Sequence, residues 1–510
     1  MKKIWILFLL MMTVLFVGAQ SLLPVPEWTN TPAILKGQII GYEKNAPEMR
    51  VQTFAYMPYD DLGTITAEIH EDGSFRMEVP MYATRQGYYF RIGPWYGILV
   101  LTAGDSVSVT LDLKSEMPGE EYSLECRGPL AELNNELVRC STLDIWKSYR
   151  NVHNKVSPMS PADFYDSVRK YYHDLALQAD SMDLKPITKE WLKLHFQSDM
   201  VNVLLLPEKL VNTENLGADF LRRVTSEVGG NTLMQAYSAQ LPTVVNRYEY
   251  AFFGDSLFVD QIRRKGDDLA ARGYNSDVIT DSTNQMRWRY TFSLLGGEQG
   301  VIQDAIRGNY YSVILSQDTP LTEKELKALS QLENASIRNY FQKKNERLKQ
   351  TLEERKRNKQ FVFQETTAKE SEKFLAEITK KYAGQVILID FWGTWCGPCR
   401  QAIKDFKENH EKLSQKGLVT IYVTDELSPE AVWKNMATEM PGVHYRIEET
   451  LSNEIFSQYG LTGWPSYLII DKNGHLIYKK TAFREDELVE TILRAIDEDI
   501  KMIIEYLHLN

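Results

Sequence analysis

Ile387-Leu388-Ile389-Asp390-Phe391-Trp392-Gly393-Thr394-Trp395-Cys396-Gly397-Pro398-Cys399 reads as a strand that gives way to a helix. The strand is expected over Val386–Phe391 and the helix over Cys399–Leu413. Two cysteines three apart at a helix start share one turn and are close enough to bridge. The helix N-terminus offers unsatisfied N–H groups and positive dipole character, which stabilise a thiolate at the first cysteine. Cys396 is therefore expected to be an exposed nucleophile, with Cys399 further inside the turn as the resolving thiol. Pro398 suits the first helical turn, where its missing N–H costs nothing. The competing reading is half of a structural zinc site, which needs four ligands. No second CxxC occurs and the eight histidines are scattered, so no metal or cofactor is expected.

Working outward, strand and helix patterns alternate. Strand Val419–Thr424 and helix Pro429–Met440 are followed by helix Asn453–Tyr459, strands Ser466–Asp471 and His475–Lys480, and helix Asp486–Leu507. The two strands are joined by Asp471-Lys472-Asn473-Gly474, which holds an Asn-Gly turn. Leu488, Ile492, Ile496, Ile500, Ile503 and Leu507 form one stripe of the last helix. Alternation closed by an antiparallel hairpin describes a compact α/β layer fold. A second element, Gly460-Leu461-Thr462-Gly463-Trp464-Pro465-Ser466, stands just before a strand.

The quoted segment resembles the active-site segment of thioredoxin-fold proteins, most of all the exported TlpA/ResA-type thiol–disulfide oxidoreductases. The likeness covers about residues 365–510. It implies that Cys396 is the attacking cysteine and Cys399 the resolving one. Asp390 matches the buried acid that assists proton transfer at the resolving thiol; a carboxylate beneath the dithiol would have its pKa raised by desolvation. The alternative is a solvent-facing Asp ending a strand. Trp395 matches the aromatic residue flanking the site, or else serves packing. The second element resembles the family's cis-proline loop, with Pro465 in the cis role and Trp464 offering backbone groups to an extended substrate segment. Without the resemblance, Pro465 reads as a strand-start proline. The long spacing from Cys399 to Pro465 suits the family's extra segment, here about 428–450. Ala402 and Lys404 stand where many relatives carry Glu and Pro; the Ala402 departure argues against pH tuning by that carboxylate and against a close match to cytochrome c maturation proteins.

Upstream, residues about 33 to 113 read as β-structure. Runs at Met49–Met57, Gly63–Ile69, Phe75–Val79, Tyr88–Ile92, Ile98–Thr102 and Ser106–Leu113 are separated by turn signals such as Asp72-Gly73 and Gly104-Asp105. Alternating patterns there fit an antiparallel sandwich with one buried face. From about 128 to 358 the period is helical, as in Ala162–Met182, Thr188–Leu206 and Lys324–Leu352. The frequent aromatics of this stretch are read as helix packing rather than a ligand groove. Lys343 to Lys359 has eight basic and three acidic residues in seventeen positions. It is read as a solvated helix end leading into a linker, against a patch for anionic lipid or an acidic partner.

Lys2 and Lys3, the apolar stretch Ile4 to Val17 and the small-residue pattern Val17-Gly18-Ala19 form a secretory leader cut ahead of Gln20. An uncleaved anchor would need a longer apolar run. Hydrophobic residues at 43% and charged residues at 25% are ordinary for a globular chain and exclude collagen-like, disordered and disulfide-scaffold classes. A net charge of −11 opposes nucleic-acid binding. The only other cysteines, Cys126 and Cys140, are permitted a structural bridge by an oxidising compartment.

The expected architecture is multidomain. A signal peptide (1–19) precedes a β-sandwich (25–126), a central all-α region with its basic linker (127–360) and an α/β thioredoxin-like fold (361–510). The expected function is thiol–disulfide exchange with exported protein disulfides or thiols in the periplasm or cell envelope. The Gly-Pro dipeptide between the cysteines resembles reducing thioredoxins, which favours the reductase direction. An unidentified membrane or periplasmic electron donor would recharge the pair. The alternatives are a disulfide oxidase or isomerase, and a non-catalytic assembly protein that uses the fold as a scaffold.

Overall fold

The computed structural model describes residues 21–44, 49–114, 122–140, 160–206, 216–274, 276–358, 360–482 and 485–508. The expected leader at 1–19 lies outside them. Among the described residues no helix is long and apolar enough to cross a membrane.

Eight strands come first: β1 (Ala33–Ile40), β2 (Val51–Met57), β3 (Asp60–Ala67), β4 (Ser74–Val79), β5 (Arg85–Ile92), β6 (Trp95–Thr102), β7 (Ser106–Asp112) and β8 (Ser123–Arg127). They form two four-stranded sheets, ordered β4-β1-β7-β8 and β3-β2-β5-β6. β1 and β7 are paired in parallel; the other pairs are antiparallel. The burial alternates along β2 and β7, as strands with one buried face require. Leu35, Ile39 and Val109 of one sheet and Val51, Phe90 and Leu99 of the other belong to one apolar core.

Helices follow: α1 (Ala131–Cys140), α2 (Pro161–Ser181), α3 (Pro186–Leu204), α4 (Gly217–Arg223), α5 (Leu241–Glu249), α6 (Ser256–Ala271), α7 (Ser276–Leu294), α8 (Val301–Ser316), α9 (Glu323–Ser330) and α10 (Ala335–Asn358). α2 starts at Ser160, whose side chain accepts from the Asp163 N–H, with proline in the first turn. The single helical period read over Lys324–Leu352 is two helices. Asn334 interrupts it, its Oδ1 accepting the Ile337 N–H at 3.2 Å as a new N-cap.

The C-terminal sheet is ordered β14-β13-β10-β11-β12-β9. Its elements are β9 (Phe361–Gln364), α11 (Ser371–Lys381), β10 (Val386–Phe391), α12 (Gly397–Ser414), β11 (Leu418–Asp425), α13 (Glu430–Ala437), β12 (Gly442–Ile447), α14 (Glu449–Tyr459), β13 (Ser466–Ile470), β14 (Leu476–Thr481) and α15 (Glu485–His508). β9, β12, β11 and β10 run parallel, while β13 and β14 are antiparallel additions. One face of β10 contributes Ile387 and Ile389 to a core with α11 and α14. The other contributes Val386 and Leu388 to a core with α12 and α15. β9, α11 and β12 are elements that the sequence reading did not contain.

The chain divides into two compact units, residues 1–312 with 329–341, and residues 313–328 with 342–510. Segments 313–328 and 342–358, read from sequence as part of the helical region, thus lie in the same unit as the C-terminal sheet. A fragment beginning at 361 discards the buried Leu321 and Leu352. It is expected to unfold at lower denaturant than one beginning at 313, by roughly 2 kcal/mol or more. Equal midpoints and slopes for the two fragments would show that 313–358 adds nothing to the stability of the C-terminal fold.

Candidate functional site

β10 is central in its sheet, and all 6 of its residues are buried. Asp390 is the exception to its apolar character. It is 5% exposed, and its Oδ1 has no hydrogen-bond partner among the described residues. Burial pushes its carboxyl up to about 8, because the charged form has lost its water. In register beside it stand Tyr422 on β11 and Tyr467 on β13, and cross-strand partners share a face. Burial raises both phenols above their ordinary range, and the Asp390 charge adds to it. Tyr422 stacks on His444 of β12 at 5.0 Å and 15°. Burial holds His444 down to about 4. His410 of α12, also lowered by burial, has its ring 6.5 Å from that of Tyr422.

Beyond β10 the chain turns sharply into α12. The Trp392 N–H donates to the Val423 carbonyl at 3.0 Å, and the Thr394 N–H to Ser428 Oγ at 3.0 Å. Ser428 is itself held at 2.7 Å from Thr424 Oγ1. Gly393 leaves room for the Trp395 ring where it now lies: a Cβ on it would come within 2.8 Å of that ring. Cys396 is the N-cap of α12, and its Sγ accepts the Cys399 N–H at 3.2 Å. Cys396 and Cys399 are joined as a disulfide with Cα atoms 5.3 Å apart.

The expectation of an exposed Cys396 is corrected. In the disulfide Cys396 is 4% and Cys399 1% exposed. Both sulfurs sit in an apolar cluster with Trp392, Tyr422, Trp433, Met436 and Met440, and Trp464 packs against it. Gly397 and Pro398 are the exposed part of the motif. The Trp464-Pro465 bond is cis. Ser466 Oγ donates to the Gly463 carbonyl at 2.6 Å and the Ala482 N–H to the Pro465 carbonyl at 2.9 Å, anchoring this loop to β14's end. Trp395 is 49% exposed and meets Trp464 edge-on, ring centroids 5.7 Å apart. The structure therefore brings Cys396, Cys399, Trp395 and Trp464 together, with Asp390 on the strand leading into the dithiol turn.

Tyr422, Trp433, Met436 and Met440 were missed by sequence reasoning. For the last three a signal existed: positions 433, 436 and 440 form an apolar stripe on the expected helix. Cys126 and Cys140 are both buried and are not joined to each other. Burial pushes their thiols up to about 12 and about 11. Among the described residues no group of three or more His, Cys, Asp or Glu is arranged to hold a metal ion.

A family model described as thioredoxin-like matches residues 384–476. The thiol-disulfide oxidoreductase ResA of Bacillus thuringiensis subsp. konkukian is 28% identical over 117 residues, covering 23% of this chain and 66% of ResA. ResA of Geobacillus thermodenitrificans is 29% identical over 107 residues, 21% of this chain and 60% of that protein. Among solved structures, the thioredoxin domain of a thiol-disulfide oxidoreductase from Bacteroides vulgatus matches with 19% identity and a TM-score of 0.21, over 23% of this chain and 83% of that one. This chain thus spans about two thirds of the ResA length or a little less. Its C-terminal part carries a thioredoxin-like domain whose homologues are ResA thiol–disulfide oxidoreductases.

Proposed function

We propose that this protein is an exported thiol–disulfide oxidoreductase acting on the disulfides of other envelope proteins, chiefly as a reductase. The observation that carries the reading is the Cys396–Cys399 disulfide at the start of α12, with buried Asp390 on the strand before it. In the reduced enzyme the Cys396 thiolate attacks one sulfur of a substrate disulfide. One substrate thiolate leaves and a mixed disulfide forms. Cys399, its proton taken up by Asp390, then attacks Cys396 Sγ and expels the second substrate thiolate. Two electrons pass from the dithiol to the substrate, and an envelope electron donor returns the enzyme disulfide to dithiol. Trp395, Trp464 and cis-Pro465 are the substrate-binding edge, with Trp464 offering backbone groups to an extended segment.

The leader at 1–19 delivers the chain to the periplasm. The common apolar core of the two N-terminal sheets supports a β-sandwich domain over 25–126, and with the helices that follow it selects the partner. A scaffold role without redox chemistry needs neither the joined cysteines nor a buried carboxylate on the strand that leads to them.

The reduction potential of the Cys396–Cys399 pair tests the direction. A value of about −270 mV is expected for a reductase, whereas roughly −120 mV marks an oxidant. No reversible exchange with any thiol couple would reject the redox reading altogether.

A further inference from the structure

Two segments ahead of the thioredoxin-like fold are fastened to the end of α13. Arg355 of α10 is the fastening point. Its Nη1 lies 3.0 Å from Asp318 Oδ2, and its Nη2 is paired with Glu439 just beyond α13. The Arg355 and Asp318 side chains are only 20% and 19% exposed, so this pair is worth more than a surface one. The Asp318 carbonyl accepts from Asn435 Nδ2 at 2.9 Å, engaging α13 a second time. On the same loop the Leu321 N–H donates to buried Asn345 Oδ1 of α10 at 2.8 Å. Asp318 holds φ at 50°, a region that Asp enters more readily than most residues. Asp318 also lies close enough to Arg400, the residue after Cys399, to feel its charge.

The other side of α13 is the wall of the dithiol. Trp433 and Met436, with Met440 after the helix, are buried in one cluster with both cysteines. We propose that Asp318 and Arg355 are positioning residues for the Cys396–Cys399 pair, holding this apolar wall against the sulfurs and so setting the balance between disulfide and dithiol. The inference rests on the redox reading above. A fixed apolar wall excludes water from a thiolate at Cys396 and disfavours it. Releasing the wall admits water, stabilises the reduced form at neutral pH and makes the pair more oxidising.

The test is the equilibrium of the full mature chain with glutathione. There the enzyme disulfide takes two electrons and two protons from two glutathione thiols, leaving one oxidised glutathione. Asp318→Asn combined with Arg355→Gln removes the ion pair without changing net charge. It is expected to shift the equilibrium toward dithiol by about threefold or more and to speed alkylation of reduced Cys396 below neutral pH. Asn435→Ala, a milder release, should move both readouts the same way by less. Glu370→Gln with Lys373→Gln, which removes an exposed pair of the same unit, should move neither. If the wild type exchanges with glutathione and both α13-releasing variants match it, the positioning role is overturned while the redox reading stands. A wild type that does not exchange overturns the redox reading first.

Discussion

Cys396→Ser is expected to reduce thiol–disulfide exchange to the uncatalysed background while leaving the fold in place. The fold survives because serine is among the preferred N-caps, so the Cys399 N–H keeps an acceptor at the start of α12. The bridge it removes closes a loop of only sequence separation 3, worth about 2 kcal/mol in the chain-entropy account. Chemistry does not survive, since a hydroxyl is not appreciably ionised where a thiolate is, and the first bond to substrate sulfur cannot form. Cys399→Ser should behave differently: the first attack proceeds, the mixed disulfide is not resolved, and adducts accumulate on Cys396. Insulin reduction and non-reducing electrophoresis read the two outcomes. Turnover by Cys396→Ser at the wild-type rate would sink the assignment.

Asp390→Asn is the second large effect, and it is visible in stability as well as in rate. Asp390 titrates at about 8 in the folded protein, against 3.8 for an ordinary aspartate. Between these values the native state holds a proton that the unfolded chain has lost. Native stability therefore falls as pH rises through that window, by about 1.4 kcal/mol for each unit. Asparagine carries no such proton. The variant's advantage in the oxidised form should be small at about pH 4, reach on the order of 4 kcal/mol at pH 7 and level off above 8. Its resolving step should slow, and the wild-type inflection of rate near that pH should disappear. Denaturant titrations and pH–rate profiles are the measurements. Parallel stability curves for the two proteins would mean that Asp390 is ionised in the fold.

What was legible in the sequence was local. The strand into Cys396-Gly397-Pro398-Cys399 and the proline loop at Trp464-Pro465 each fit within one short window, where periodicity and residue chemistry speak directly. The tyrosines beside Asp390 were not legible, because only the pairing of β10 with β11 and β13 brings them into register. β9 carries four residues and no period, and its partner β12 lies far down the chain. The basic run shows the same limit. Most of it is the solvated helix face that its composition indicates, but Arg355 has its two carboxylates 37 and 84 residues away. Its place at a helix start suggests an exposed Cys396, whereas its burial comes from α13 and the Trp464 loop.

The pairing of β9 with β12 alone bears on how the domain is made. β9 is the first of the domain's strands to emerge during synthesis, yet among the described residues it pairs with no strand until residues 442–447 follow. Until then Val362 and Phe363, still 49% and 36% exposed in the finished fold, belong to an open strand available to other chains. Non-local parallel pairing of this kind closes slowly. Until residues 442–447 have followed, then, this edge is a segment that must be kept from aggregation.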